Sequence, residues 1–231
     1  MSVLKGLYYI VVMAPRALFN PNAFKYTFFT ILYVIASASH AQEAKKIIAF
    51  GDSLTAGAGL DQGEGFTDQL EDTLNQYGLK VDVVNAGVSG DTSSGGLARL
   101  EWVLDSVDNI DLVILELGAN DALRGLPPKI TRRNIDKMVS ILKERKIPTL
   151  LAGMVAPPNF GEQFISEYNP IFPDVAKKYD VLLYPFFLDG VAGIRELNQS
   201  DLMHPNPRGV KIIVDKIAPY VLEALVRVQK P

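Results

Sequence analysis

Short apolar runs alternate with helix-like patterns along most of the chain. Five of these runs have the length and the nearly continuous hydrophobicity of strands that are buried on both faces of a parallel sheet. They are Ile47–Phe50, Val81–Val84, Leu112–Leu117, Thr149–Gly153 and Val181–Tyr184. Because repeated strand–helix units connect through right-handed crossovers, helices should cover both faces of the sheet. The pattern predicts an α/β fold built as a three-layer α/β/α sandwich.

Three segments between and after these runs carry apolar residues at helical spacing. Gly78 and Pro148 should end the first two helices, whereas Asn206 as N-cap and Pro207 at the first helical position should begin the third. The predicted buried faces are, in chain order, Phe66, Leu70, Leu74 and Tyr77; Ile135, Met138, Val139 and Leu142; and Val210, Ile213, Val214, Ile217, Val221, Leu225 and Val228.

Residues 1–41 differ from the rest of the chain. They contain three cations and no acidic residue, and the apolar run Phe28–Ala38 leads into a short stretch of small residues. This arrangement is typical of a secretory signal with cleavage before Gln42, and a start at Met13 would give it ordinary length. The run of 11 residues is shorter than the roughly 20 needed to span a bilayer, so an uncleaved signal anchor is the weaker interpretation. We expect a signal peptide at 1–41, one domain at 42–231, and a periplasmic or secreted protein.

Composition and charge limit the partners of this domain. The chain has 231 residues and no cysteine, so neither a disulfide nor a cysteine-linked lipid anchor is available. Without the three cations of residues 1–41, the 23 lysines and arginines fall to 20 against 26 acidic residues, a net charge of −6. An acidic domain argues against a nucleic-acid partner. We expect a monomer that binds neither nucleic acid nor, stably, a membrane.

Polar, glycine-containing turns directly follow the first three predicted strands. They are Gly51-Asp52-Ser53, Asn85-Ala86-Gly87 and Gly118-Ala119-Asn120-Asp121. Ligands of open parallel sheets bind at the carboxyl ends of the strands, where the strand order reverses. We therefore expect these turns to lie together at one edge of the sheet. A fourth polar block, Asp201–Asn206, contains His204, the only histidine outside residues 1–41.

The residue types in these blocks fit nucleophilic catalysis. A serine hydroxyl attacks only when a base takes its proton, and a histidine acting as that base needs a carboxylate to fix its tautomer. Asp201 and His204 are three residues apart, so one turn can present both side chains. Attack on an acyl carbon creates an oxyanion, for which the backbone N–H groups of Ser53 and Gly87 and the side-chain amide of Asn120 are candidate donors.

The four blocks resemble the SGNH, or GDSL, family of serine hydrolases. Gly-Asp-Ser-Leu around Ser53, Asn-Ala-Gly around Gly87, Gly-Ala-Asn-Asp around Asn120 and Asp-Leu-Met-His-Pro-Asn around His204 stand in that family's order. The resemblance covers nearly the whole predicted domain and implies a flavodoxin-like sandwich with a five-stranded parallel sheet. It also implies Ser53 as nucleophile, His204 as base and Asp201 as its orienting acid. Ser53, Gly87 and Asn120 would form the oxyanion hole, and neither cofactor nor metal is implied.

The segment Leu117–Pro128 resembles more specifically the exported bacterial branch of esterases, acyl-thioesterases and lysophospholipases, although Ala119 stands where that branch often has glycine. The implied activity is hydrolysis of acyl esters and thioesters, with the physiological substrate left open. Apolar side chains in the loops after the third and fourth strands favour an acyl chain. The substrate-binding candidates are Leu123, Arg124, Leu126 and Pro158.

Other interpretations of these residues remain. A carbohydrate O-deacetylase would keep the same triad but need a polar groove, and a non-catalytic module would hold an acyl or glycan ligand without turnover. Ser89 is a rival nucleophile, but its neighbours do not form a G-x-S-x-G elbow. Asp52 and Asp121 are expected to order their loops through backbone hydrogen bonds rather than to act in catalysis. With one histidine and no cysteine outside residues 1–41, a transition-metal site would need carboxylates almost alone.

Overall fold

The structure is a computed structural model that describes residues 43–227; the predicted signal peptide and Val228 lie outside them. Five parallel strands form one sheet in the order β2-β1-β3-β4-β5. The strands are β1 (Lys45–Gly51), β2 (Val81–Gly87), β3 (Ile110–Glu116), β4 (Thr149–Ala152) and β5 (Leu182–Tyr184). This is the flavodoxin-like order, in which the chain reverses direction across the sheet between β1 and β3. The predicted α/β fold is confirmed, and each strand overlaps one of the five predicted runs.

Helices connect the strands and cover both faces of the sheet. On one face α2 packs against α8, and on the other α5 packs against α3 and α7. Short 3₁₀ turns lie at Pro158–Phe160 and Arg195–Leu197. The α-helices of the described region are α1 (Ser53–Ala56), α2 (Phe66–Gln76), α3 (Ser93–Asp105), α4 (Ala119–Leu123), α5 (Pro128–Glu144), α6 (Glu162–Tyr168), α7 (Ile171–Tyr179) and α8 (Pro207–Arg227).

The core lies between these helices and the central strands. Ile47–Phe50 of β1 and Leu112–Leu115 of β3 are almost completely buried. Because successive side chains of a strand point to opposite faces, consecutive burial means that both faces are covered. Each buried leucine or isoleucine contributes about 1.5–3 kcal/mol through removal of its apolar surface from water. The central strands are therefore a rigid base for the loops at their carboxyl ends.

The predicted helix ends are confirmed, but one residue of the predicted buried faces is exposed. The side-chain oxygen of Asn206 accepts the backbone N–H groups of Arg208 and Gly209, each at 3.1 Å, so Asn206 caps α8 as expected. The buried face predicted for α2 wrongly included Tyr77, which is 57% exposed. The helix ends at Gln76 with Tyr77 as its C-cap, and Gly78, with φ of +84°, follows, so Tyr77 lies at the helix end rather than over the core.

Candidate active site

Ser53 lies where β1 passes into α1, at the carboxyl end of a central strand. It is the first residue of α1, a single turn of helix that Asp52 caps by accepting the Leu54 N–H at 3.0 Å. Gly51 has to be glycine here. A Cβ atom at this position would lie 2.5 Å from Oε2 of Glu116 and 2.7 Å from its carbonyl oxygen. The tight turn between strand and helix thus presents the Ser53 side chain at the edge of the sheet.

Asp201 and His204 face each other across one turn before α8. The Oδ1 atom of Asp201 accepts the backbone N–H groups of Met203 at 2.9 Å and His204 at 3.0 Å. Its Oδ2 atom lies 2.6 Å from Nδ1 of His204. Leu202 adopts φ of +60°, a left-handed conformation that costs a leucine about 1–2 kcal/mol. In this conformation both carboxylate oxygens of Asp201 contact His204, one through the backbone N–H and one through the ring.

The imidazole of His204 joins this turn to the turn around Ser53, residues 51–55, which we call the nucleophile turn. Its Nε2 atom lies 2.8 Å from Oγ of Ser53, although the two residues are 151 positions apart. Because Nδ1 faces a carboxylate, Nδ1 carries the proton in the neutral ring, and Nε2 is free to accept the Ser53 hydroxyl proton. The structure therefore brings Ser53, His204 and Asp201 into one continuous chain of hydrogen bonds.

The electrostatics of Asp201 suit an orienting carboxylate. The hydrogen bond from the His204 ring, aided by the backbone N–H groups of His204 and Met203, lowers the pKa of Asp201 to about 2. Asp201 is consequently ionised throughout the neutral range, and its negative charge stabilises a proton on the imidazole ring.

The predicted oxyanion donors meet at the same turn. Gly87, the last residue of β2, packs so closely on α1 that an added Cβ would lie 2.7 Å from Cα of Ala56. The side-chain amide of Asn120, in α4, donates to Oδ2 of Asp52 at 2.9 Å, and no other residue of the described range accepts its second N–H. The Gly87 N–H donates to Oδ1 of Asn85 at 3.0 Å, so a substrate oxygen has to share or replace this bond.

Asp52 does more than the sequence analysis predicted. Its backbone contact with Leu54 is confirmed, but its other carboxylate oxygen holds Asn120, a contact that sequence spacing does not reveal. Asp52 is fully buried, and this burial raises its pKa to about 6, against the opposing effect of the Leu54 and Asn120 hydrogen bonds. Asp121 orders its surroundings as expected, accepting the Ser93 N–H at 2.7 Å and the Thr131 hydroxyl at 3.0 Å.

Glu116, the last residue of β3, was missed by the sequence analysis. It is fully buried beneath the nucleophile turn, where its Oε2 accepts the Thr55 hydroxyl at 2.8 Å. Burial, followed by the negative charge of Asp52, raises the pKa of Glu116 well above its usual range. The available signal was that Glu116 is the one charged residue inside the apolar run Leu112–Leu117.

The four substrate-binding candidates lie in loops at this edge but in different settings. Leu123 is exposed at the end of α4, and Leu126 is half-buried a few residues later. Arg124 donates to the Gly90 carbonyl at 2.7 Å and so ties the loop after β3 to the loop after β2. Pro158 is exposed in the 3₁₀ turn after β4.

A cleft of about 360 Å³ at the opposite edge of the sheet contains none of the four substrate-binding candidates. It lies at the amino ends of β4 and β5, between Lys143, Asp180 and Arg227. Within residues 43–227, no three histidine or acidic side chains form a group that could hold a metal ion. No helix in the same range is both long and apolar enough to cross a bilayer.

Comparison with known proteins shows that this chain is similar to proteins named as esterases and thioesterases. Residues 49–212 match the GDSL-like Lipase/Acylhydrolase family. An arylesterase of Vibrio mimicus is 36% identical over 84% of this chain and 96% of its own length. Thioesterase 1/protease 1/lysophospholipase L1 of Escherichia coli K12 is 34% identical over 81% of this chain and 88% of its own. The crystal structure of AlinE4, an SGNH-hydrolase family esterase, is 48% identical and covers 79% of this chain and 97% of its own, with a TM-score of 0.68.

Proposed function

Because the chain belongs to the GDSL-like Lipase/Acylhydrolase family, we propose that it hydrolyses acyl esters and thioesters through an acyl-enzyme on Ser53. The family match confirms the predicted resemblance and the predicted class of enzyme, an ester hydrolase. The observation that carries the proposed mechanism is the hydrogen-bonded chain from Ser53 Oγ through His204 to Asp201, with distances of 2.8 and 2.6 Å.

In the first half of the reaction, Oγ of Ser53 attacks the acyl carbon while its proton moves to Nε2 of His204. The carbonyl oxygen becomes an oxyanion, which accepts hydrogen bonds from the backbone N–H groups of Ser53 and Gly87 and from the Asn120 amide. The ionised Asp201 stabilises the imidazolium. When the tetrahedral intermediate collapses, the bond to the leaving group breaks, and the alcohol or thiol takes the proton from Nε2. The acyl group remains on Ser53 as an ester.

In the second half, water takes the place of the leaving group. His204, again neutral, accepts one proton from the water as its oxygen attacks the acyl-enzyme carbon. Collapse of the second intermediate returns the His204 proton to Oγ of Ser53 and releases the carboxylic acid. The cycle consumes one water and one ester or thioester, and it needs only side chains and backbone groups of this site.

An apolar acyl chain is the substrate feature that the surroundings of the site support. The loop that follows Asn120 carries Leu123, a residue that is 53% exposed, and the half-buried Leu126. A chain attached to a carbonyl carbon beside Ser53 would pass this loop. Relatives named as an arylesterase and as a thioesterase and lysophospholipase support the same substrate class. A carbohydrate O-deacetylase with the same triad is the alternative, and it would prefer acetyl groups.

We also propose that residues 1–41 direct export and are removed, so that a monomeric enzyme acts in the periplasm or outside the cell. Three cations, the absence of acids and the run Phe28–Ala38 support this proposal. Protein isolated from its native cell should begin at or near Gln42 on N-terminal sequencing and behave as a monomer in light scattering. Retention of Phe28–Ala38 in a membrane fraction would contradict cleavage.

The test of the proposed reaction compares two serines at the same edge of the sheet. Ser53→Ala should abolish turnover of both an aryl ester and an acyl thioester, because it removes the hydroxyl that faces Nε2 of His204. Ser89→Ala is the matched control, since Ser89 is exposed two residues beyond Gly87, and it should keep parental rates. Full activity of the Ser53→Ala protein would overturn the proposal, whereas a parent that turns over only acetyl esters would favour the deacetylase.

A further inference from the structure

The buried carboxyl of Glu116 is a costly group that the proposed reaction steps do not use. Its side chain is completely shielded from solvent, and no ion pair within residues 43–227 includes it. The Oε1 atom has no hydrogen-bond partner among the described residues. A buried polar atom without a partner costs about 1–3 kcal/mol, and an unpaired buried charge costs more. A leucine would avoid this cost, so the carboxyl must contribute something that packing does not.

The other oxygen of Glu116 contacts the nucleophile turn on both sides of Ser53. Oε2 accepts the backbone N–H of Asp52 at 3.3 Å and the hydroxyl of Thr55 at 2.8 Å. Gly51 allows this close approach, because any side chain there would collide with the carboxyl. One carboxyl oxygen on β3 therefore fixes the residue before Ser53 and the residue two positions after it.

This contact extends to the oxyanion donor through Asp52. The side chain of Asp52 accepts the Asn120 amide at 2.9 Å, so a shift of Asp52 would also turn Asn120. We propose that Glu116 is a positioning residue whose neutral carboxyl holds the nucleophile turn against β3 and thereby orients both Ser53 and Asn120. This role rests on the proposed function.

The neutral state of Glu116 follows from what surrounds it. Burial and the charge of Asp52 both disfavour a second negative charge, and they raise the pKa of Glu116 well above its usual range. Asp52, with a pKa of about 6, then carries the single negative charge of the pair in neutral solution. Among the neighbouring titratable groups, His204 lowers the pKa of Asp52 and Asp91 raises it.

Two replacements of Glu116 separate positioning from packing. Glu116→Gln keeps the shape, remains neutral, and offers an amide oxygen to Thr55 and the Asp52 N–H. It should retain kcat within about threefold and keep the parental pH profile, because no charge is removed. Glu116→Leu fills the space but accepts no hydrogen bond. It should lower kcat by roughly 10–100-fold with little change in KM, since a 1 Å misplacement of reacting groups costs about 10²-fold.

Glu71→Leu is the matched control for loss of a carboxyl group that accepts a backbone N–H. Glu71 on α2 accepts the Val83 N–H at 2.8 Å, away from the nucleophile turn. This variant should lose stability but keep kcat. A Glu116→Leu enzyme with parental kcat would overturn the proposal. Equal damage from the Gln and Leu variants, or a pH profile shifted in Glu116→Gln, would show that a charged Glu116 is required and would overturn it as well.

An infrared measurement tests the neutral carboxyl independently of activity. The difference spectrum between the parent and Glu116→Gln should contain the C=O stretch of a protonated carboxylic acid at neutral pH. A carboxylate band in its place would contradict the proposal, even if Glu116→Leu fails to fold. An inactive parent would contradict the proposed function instead, and the infrared result would then decide the state of Glu116 by itself.

Discussion

Replacing Gly87 with alanine should damage catalysis because the end of β2 touches the helix that begins with Ser53. The added Cβ would lie 2.7 Å from Cα of Ala56 and 2.8 Å from the carbonyl carbon of Thr55, and closer still to the Ala56 nitrogen. All three are backbone atoms, so no side-chain rotation relieves the collision. The strand end and α1 have to move apart.

The size of this movement sets the expected loss. Carbon atoms pack at about 3.5–4.0 Å, so the two backbones must separate by roughly 1 Å. A misplacement of that size costs about 10²-fold in rate, or about 2.7 kcal/mol of transition-state stabilisation. The Gly87 N–H and Ser53 move relative to each other, whereas Leu123 and Leu126, the candidate acyl-chain contacts, lie in a different loop. We therefore expect kcat to fall by roughly 10²-fold while KM changes little.

The assay is steady-state hydrolysis of a short aryl ester, at a temperature where circular dichroism shows that the variant is folded. Overpacking costs about 1–3 kcal/mol of stability, so this check is needed. Gly65→Ala is the control, because φ is −71° there and the added Cβ meets only the Asp68 side chain at 3.2 Å and Cα of Gly57 at 3.7 Å. A Gly87→Ala enzyme with kcat within threefold of the parent would refute the reasoning.

Three further predictions concern the oxyanion, the acyl chain and pH. Asn120→Ala should lower kcat by roughly 10²–10³, the usual loss for one oxyanion donor; a raised KM with unchanged kcat in steady-state assays would make Asn120 a binding residue. Leu126→Asn should flatten the rise of kcat/KM with acyl length, because each methylene buried against this loop contributes at most ~0.8 kcal/mol. The assay compares p-nitrophenyl esters from acetyl to dodecanoyl, and profiles parallel to those of the parent would show that this loop does not contact the acyl chain. Burial raises the pKa of Asp52 from 3.8 to about 6. Between these two pH values the folded state binds more protons than the unfolded state, so the free energy of unfolding should fall as pH rises, by up to about 3 kcal/mol. Glu116, whose pKa burial also raises, adds a decline of its own, so urea unfolding across this range should show a steeper decline in the parent than in Asp52→Asn, and equal slopes would contradict the prediction.

The fold could be predicted from the sequence because its strands are buried on both faces. Runs such as Ile47–Phe50 and Leu112–Leu117 are apolar without alternation, which is typical of the centre of a parallel sheet. Tyr77 shows the limit of this reasoning. Helical spacing places it on the face of Leu74, but the helix ends before it, and a helix end depends on tertiary contacts that periodicity does not contain.

The residues of the candidate site could also be named from the sequence, but the hydrogen bonds between them could not be predicted. Ser53, Asp201 and His204 could be named from residue types and blocks, and the structure joins them by hydrogen bonds. The contact of Asp52 with Asn120 spans 68 positions, and that of Glu116 with Thr55 spans 61. Such pairs depend on the strand order, so no local pattern predicts them.

The most direct test of the central claim is to find which side chain is the nucleophile. The parent protein is incubated with a fluorophosphonate, digested, and its peptides are analysed by mass spectrometry. We expect a single adduct on Ser53, and the adduct should form more slowly in a His204→Ala variant because Nε2 no longer accepts the hydroxyl proton. An adduct on Ser89 or another residue, or no adduct on an actively hydrolysing enzyme, would contradict the account.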